Sequence, residues 1–133
     1  MSFDLEVRSK LIADGLITTT DFFIGPKATV PAGDGPFTTF TETGGSGNEL
    51  TQNSVEGYEH PSAQIIVTAS TRSVARAKAA AIRTSLLSVR NILLGSIWYR
   101  EITADQQVFD FPLDATAGRP RSGFNISAIK RPS

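Results

Sequence analysis

The sequence predicts an α+β fold, in which a mixed, mostly antiparallel sheet carries an N-terminal helix and one long helix packed on one face. Three observations support this prediction. Two segments have the apolar spacing of helices, several short segments are rich in β-branched and aromatic residues, and Gly/Pro-containing turns separate them. The 133 residues have the usual size of one domain and show no internal repeat, so we expect a single domain over 1–133.

The first helix is predicted between Ser2 and Gly15, because Phe3, Val7 and Leu11 are spaced by four residues and form one apolar stripe. The long helix is predicted from about Ser73 to Leu93, with Gly95 ending it. Its alanine-rich middle favours helix, and its apolar residues alternate by four and three positions, which confines them to an arc of about 80°. These residues are Ala75, Ala79, Ile82, Leu86, Val89 and Leu93.

Six strands are predicted from short runs of β-branched and aromatic residues or from apolar–polar alternation. They cover residues 21–24, 37–43, 64–69, 97–102, 108–113 and 124–130. Pro112 weakens the fifth strand or places it at an edge, because proline has no backbone N–H to donate to a ladder.

Residues 44–59 are predicted to form a long flexible loop, because they are rich in glycine and polar residues and have no apolar period. A loop of this length is usually functional or disordered. Two interpretations remain open: a segment that orders against a partner, and a floppy connector in the free protein. The candidate partner residues are Gly44, Gly45, Gly47, Asn48, Glu49, Asn53, Glu56 and Glu59.

The formal net charge of zero hides a strong asymmetry. Residues 1–59 hold nine acids and three bases, a net charge of −6, whereas residues 60–133 hold four acids and ten bases, a net charge of +6. Such a distribution indicates a molecule with an acidic and a basic face, unless the fold intermixes the two halves.

The sequence offers little material for an active site, so we predict a protein that is not an enzyme and has no cofactor. There is no cysteine, and His60 is the single histidine, which excludes the common zinc ligand patterns. No nucleophile elbow and no Walker-type glycine loop occurs. The acidic N-terminus and the short apolar runs predict neither a secretory signal nor a membrane span, and hence a protein made in the cytoplasm.

One group of side chains stands out on the predicted long helix. Arg72, Arg76, Arg83 and Arg90 would project within an arc of about 40° next to the apolar face. Guanidinium groups bind carboxylates and phosphates through paired hydrogen bonds. The stripe is therefore a solvated surface, a contact with an acidic surface of a neighbouring subunit, or a nucleic-acid contact.

Several segments together resemble small tail-completion proteins of tailed bacteriophages. They are the run from Pro61 to Val67, the Ala/Arg-rich helix after it, and Ile97-Trp98-Tyr99. The stretch from Asp114 through Gly118-Arg119 to Phe124-Asn125 is similar to the closing strand region of the same group. The chain resembles in particular the tail terminators, which are also described as minor capsid proteins, and the resemblance spans roughly residues 37–130.

The resemblance implies a virion protein of the tail–neck region with a compact α+β domain and no cofactor. Members of this family form a six-fold ring that binds the last ring of tail tube protein, stops tube growth and presents a surface to the head–tail connector protein, while DNA passes through the lumen. The acidic half of one subunit would then meet the arginine-bearing helix of the next, as a head-to-tail contact that closes into a ring. Two alternatives stay open: another neck or head-completion ring protein, and a small nucleic-acid-binding module that uses the arginine stripe.

Overall fold

The structure, a computed structural model, describes residues 3–25, 31, 33, 35–46, 58–104, 106–113 and 118–131. These residues form two helices and a seven-stranded sheet, which confirms the predicted α+β class. In chain order the elements are α1 (Phe3–Ala13), β1 (Phe22–Ile24), β2 (Phe37–Ser46), β3 (His60–Thr68), α2 (Arg72–Leu87), β4 (Arg90–Leu94), β5 (Ile97–Ala104), β6 (Phe109–Phe111) and β7 (Arg121–Lys130).

The sheet has the strand order β1-β2-β3-β7-β5-β4, and every pair is antiparallel except the parallel pair β1–β2. The ten-residue strand β7 lies at its centre. One side of β7 pairs with β3, whereas the other side pairs with β6 near Arg121 and with β5 toward Lys130. The sheet is therefore held together by its last strand.

Both helices pack on the same face of the sheet and bury one apolar core. Alternate residues of β3 and β7 point to this face, among them Ile65, Phe124 and Ile126, which are fully buried. Helix α2 contacts β3, β5 and β7, and α1 contacts α2 and β4. Burial of each large side chain contributes about 1.5–3 kcal/mol, so this shared core is the main stabilising feature. The core cluster is Phe3, Val7, Leu11, Ile17, Phe22, Phe40, Ala63, Ile65, Val67, Ala79, Ile82, Leu86, Val89, Leu94, Tyr99, Ile102, Phe124, Ile126 and Ala128.

The predicted long helix is too long, because α2 ends at Leu87. Thr71 begins it by accepting a hydrogen bond from the Val74 amide at 3.2 Å. At the other end the Ser88 hydroxyl donates to the Ser85 carbonyl at 2.6 Å, and Asn91 has a left-handed φ of 52° that no α-helix continues through. The residues after Ser88 turn into β4 instead, which removes Val89 and Leu93 from the helical face.

Gly95 has a different role from the one its position suggested. The sequence predicts it as the residue that ends the long helix, whereas it forms the turn between β4 and β5 with a φ of 64°. Glycine is favoured where φ is positive, both at the end of a helix and in a hairpin turn, so the residue type alone does not distinguish a helix end from a turn.

The predicted loop 44–59 is also too long. Strand β2 continues to Ser46, so Gly44 and Gly45 lie in a ladder with β3 after an irregularity near Glu42. Glu59 exchanges two backbone hydrogen bonds with Lys130, which fixes the entry to β3. The other candidate residues of this segment, Gly47, Asn48, Glu49, Asn53 and Glu56, lie outside the described residues.

Candidate functional site

An arginine–aspartate cluster connects the first turn of α2 to β6. Arg76 makes a two-pronged contact with Asp110, in which Nε donates to Oδ1 at 3.0 Å and Nη2 contacts Oδ2. Arg72 Nη1 lies 3.0 Å from Oδ1 of the same carboxylate. The hydrogen bond from Arg76, followed by that from Ser122, holds the pKa of the Asp110 carboxyl well below its ordinary value. The cluster locks β6 against the helix.

The other two arginines of the predicted stripe also bond within the chain. Arg83 Nε donates to the carbonyl oxygen of Gln106 at 3.1 Å. Arg90 lies on β4 rather than on α2, where its Nη1 is 3.5 Å from Glu101 Oε2. The prediction that all four arginines lie on one helix is therefore wrong for Arg90, because α2 ends three residues before it. The Arg76 and Arg90 side chains are nevertheless 58% and 63% exposed, so both remain accessible to a partner.

A buried ion pair joins α1 to β7 inside the core. Lys130 Nζ donates to Oε1 of Glu6 at 2.6 Å, and the Tyr99 hydroxyl donates to the same oxygen at 2.6 Å. The side chains of Glu6 and Lys130 are 0% and 2% exposed. Lys130 Nζ also lies 5.8 Å and 5.5 Å from the ring centroids of Phe3 and Tyr99. Each partner is the counter-charge of the other, whereas Glu6 Oε2 has no hydrogen-bond partner among the described residues.

Sequence reasoning missed this ion pair, although a signal for it exists. Glu6 precedes Val7 on the apolar side of α1, although its place in the first turn also suits an acid that favours the helix N-terminus. Lys130 has the same parity as Ala128 and Ile126 along β7, which predicts that it faces the core. A lone acid and a lone base at core positions of two elements predict a buried pair.

Tyr99 makes the stability of the folded protein sensitive to alkaline pH. Burial, and then the hydrogen bond to Glu6, raise the pKa of Tyr99 far above its ordinary value of about 10. The folded protein therefore keeps a proton that the unfolded chain loses, so stability is complete below about pH 10 and falls above it. We expect the free energy of unfolding to drop by about 1.4 kcal/mol per pH unit in that range.

The Tyr99→Phe variant tests this expectation by urea unfolding between about pH 9 and pH 11.5. It should be less stable at neutral pH, because Glu6 loses a donor, yet its stability should fall less steeply above pH 10. Tyr58→Phe changes the chain's other tyrosine and should keep the wild-type slope. Equal slopes in the wild-type protein and Tyr99→Phe would contradict the assignment.

The described part of the chain holds no group of three or more His, Cys, Asp or Glu side chains that could bind a metal ion. His60, the single histidine, lies half-buried at the start of β3, opposite Ser46 in the ladder. In the same residues, neither helix has the length and apolar character that a membrane-spanning segment requires.

The sheet has a second face, opposite the helices, that no other described segment covers over its centre. Its side chains alternate with the buried ones along β2, β3 and β7 and are half-buried. We call this surface the open face; its central residues are Thr39, Thr41, Ser62, Gln64, Ile66, Asn125, Ser127 and Ile129. None of these is charged, whereas the solvated face of an antiparallel sheet usually alternates polar and charged side chains with the core residues.

Comparison with known proteins finds a likeness of fold. No protein-family model and no curated protein matches the chain. A chain from the solved structure "Virion of native gene transfer agent (GTA) particle" has a similar fold, with a TM-score of 0.65 and 16% sequence identity. The match covers 98% of this chain and 96% of that chain. At this level of identity the match establishes a shared fold.

Proposed function

We propose that the chain is a non-enzymatic structural protein of a phage-like virion, and more specifically a tail terminator. The observation that carries the proposal is the shared fold with a chain of a gene transfer agent virion over 98% of the present chain. The fold alone does not determine function, so the proposal also draws on the side chains. The polar groups described above bond to one another or lie on broad surfaces, as in a protein that acts by docking.

In this proposal, copies of the chain form a ring, six-fold by the family resemblance, at the junction of tail and head. One side of the ring binds the last ring of tail tube protein, the other binds the head–tail connector protein, and DNA passes through the lumen without sequence-specific contacts. No cofactor takes part, and assembly occurs in the host cytoplasm.

The candidate contact residues divide into two groups. Arg76 and Arg90 are the most exposed of the four arginines and are proposed to meet acidic side chains of a neighbouring subunit or partner. Arg72 and Arg83 support the local fold through Asp110 and Gln106. Residues Gly44 to Glu59 are proposed to contact the tail tube, and part of that segment continues the β2–β3 hairpin.

Deletion of the gene from a particle-producing strain tests the proposed role. Tube growth would lack its stop and its link to the head, so electron microscopy should show overlong tails without heads and filled heads without tails. The wild-type gene supplied in trans should restore both. Tails of normal length beside heads that have lost their DNA would instead indicate a head-completion protein, and unchanged particles would contradict a virion role.

A further inference from the structure

We propose that the open face is covered by the helical layer of a second copy of this chain, so that copies stack head to tail. The inference deepens the proposed function: whether the stacked copies close into a ring depends on that function. The contact itself is a property of the isolated protein. Three observations lead to it: the chemistry of the open face, the chemistry of the outer surface of the helices, and the matching sizes of the two surfaces.

The open face has the composition of an interface core. Thr, Ser, Asn, Gln and Ile occupy its centre on three adjacent strands, and charged side chains occur only toward its margin, such as Glu101 and Arg121. Depletion of charged residues distinguishes the centre of an interface from the rest of a protein surface. Charge-free hydroxyl and amide groups can be covered without the cost of burying an unpaired ion.

The outer surface of the two helices is apolar where a solvated surface should be polar. Leu5 and Ile12 lie on the side of α1 opposite its buried stripe and are 39% and 38% exposed. Val74 of α2 is 42% exposed, and Ala77 and Ala80 beside it add further apolar surface. Helix α1 thus carries apolar residues on both sides, with the half-buried Arg8 between Leu5 and Ile12 on the outer one, as expected of a helix between two packed layers.

Charge supports this arrangement. The arginines Arg72, Arg76 and Arg83 follow one flank of α2, turned away from its exposed centre toward β6 and Gln106. In the stacked pair these three arginines lie at the rim of the contact, where the exposed Arg76 can also meet acidic side chains of the neighbouring copy. This is the usual anatomy of an apolar core with a polar rim.

The two surfaces match in size. The three strands of the open face and the marginal strand β5 lie about 4.8 Å apart and have some nine residues at about 3.3 Å each, which gives a footprint of roughly 19 Å by 30 Å. The 16-residue helix α2 is about 24 Å long, and two helices side by side are roughly 20 Å wide. Accessible area exceeds flat area, so this footprint is the right order for the ~800 Å² that each partner buries in a standard interface.

The contact is heterologous, because the sheet face and the helical surface lie on opposite sides of the same molecule. A heterologous contact leaves one free copy of each surface and therefore propagates into a ring or a filament. It also makes a prediction that a two-fold contact does not. A variant with a damaged open face and a variant with a damaged helical surface should bind each other.

The test uses two arginine substitutions, Ser127→Arg on the open face and Ala80→Arg on α2, with light scattering and mass measurement after gel filtration. The wild-type protein should form oligomers at high concentration, whereas each variant alone should have the mass of one 14.3 kDa chain. An equimolar mixture should form a dimer, because each variant keeps the surface that the other has lost. Thr19→Arg, in the exposed turn after α1, is the matched control and should assemble like the wild-type protein.

Circular dichroism and urea unfolding should show that both variants fold, and Thr41→Arg replaces Ser127→Arg if the latter does not. Three outcomes overturn the proposal: a monomeric wild-type protein, a variant that assembles normally, or a mixture that stays monomeric. A two-fold contact between open faces would be recognised by loss of assembly in Ser127→Arg alone. If the variants give no evidence of this interface while gene deletion still gives overlong tails, the terminator role stands without this contact. If the variants assemble as expected while gene deletion leaves the tails unchanged, the contact stands without the terminator role.

Discussion

Replacing Glu6 by alanine is expected to lower the free energy of unfolding by about 3–5 kcal/mol. The substitution leaves the Lys130 ammonium, 2% exposed, in the core without a counter-charge. It also removes the acceptor of the Tyr99 hydroxyl, which is equally buried. Such a loss is a large share of the 5–15 kcal/mol of stability that a typical domain has. The measurement is urea unfolding at neutral pH, followed by fluorescence of Trp98.

Two variants control for this effect. Asp4→Ala removes a first-turn acid of the same helix that is only half-buried, and it should cost less than about 1 kcal/mol. The double replacement Glu6→Leu with Lys130→Met removes both charges and should recover much of the lost stability, because apolar side chains often substitute for a buried pair without net cost. A loss below about 1 kcal/mol for Glu6→Ala would show that the pair is not desolvated as described.

Replacing Gly123 by alanine is expected to cost about 3 kcal/mol, the upper end of the usual range for overpacking. A Cβ atom at this position would lie 2.0 Å from the carbonyl oxygen of Ile65 and 3.0 Å from the Cα atom of Ile66. These are backbone atoms of β3, so only a shift of the strand can make room. Because β7 is central and pairs with β3 and β6 at Gly123, the shift would disturb both ladders.

Thermal and urea unfolding of Gly123→Ala, beside Ser127→Ala as a control on the same strand, measure this effect. Ser127 lies on the open face, where removal of a hydroxyl should change stability by less than about 0.5 kcal/mol. Wild-type stability in Gly123→Ala would mean that β3 and β7 are farther apart than the structure places them.

The fold class could be predicted from the sequence because local patterns and the tertiary fold agree over most elements. The stripe Ala75, Ala79, Ile82, Leu86 is buried as its spacing predicts. The same spacing continues through Val89 and Leu93, and this is where prediction failed. Val89 is buried as predicted, but it lies in the connection between α2 and β4 and not in the helix.

The candidate contacts were harder to predict, because their partners are distant in sequence. Arg76 meets Asp110 and Arg90 meets Glu101 only after β6 and β5 take their places in the sheet. Glu6 and Lys130 are 124 positions apart and pair through the same topology. Spacing along one helix can show that arginines share a side, but it does not show which acceptors the sheet brings to them.

The central place of β7 has a consequence for synthesis. Strands β3, β5 and β6 meet only through β7, whose first residue is Arg121. A nascent chain that has not yet released this segment from the ribosome has the pair β2–β3 and the pair β4–β5, but lacks the strand that joins the two pairs into one sheet. We therefore expect the complete sheet to form only after translation has passed residue 130, and an interrupted polypeptide to remain unfolded and be degraded.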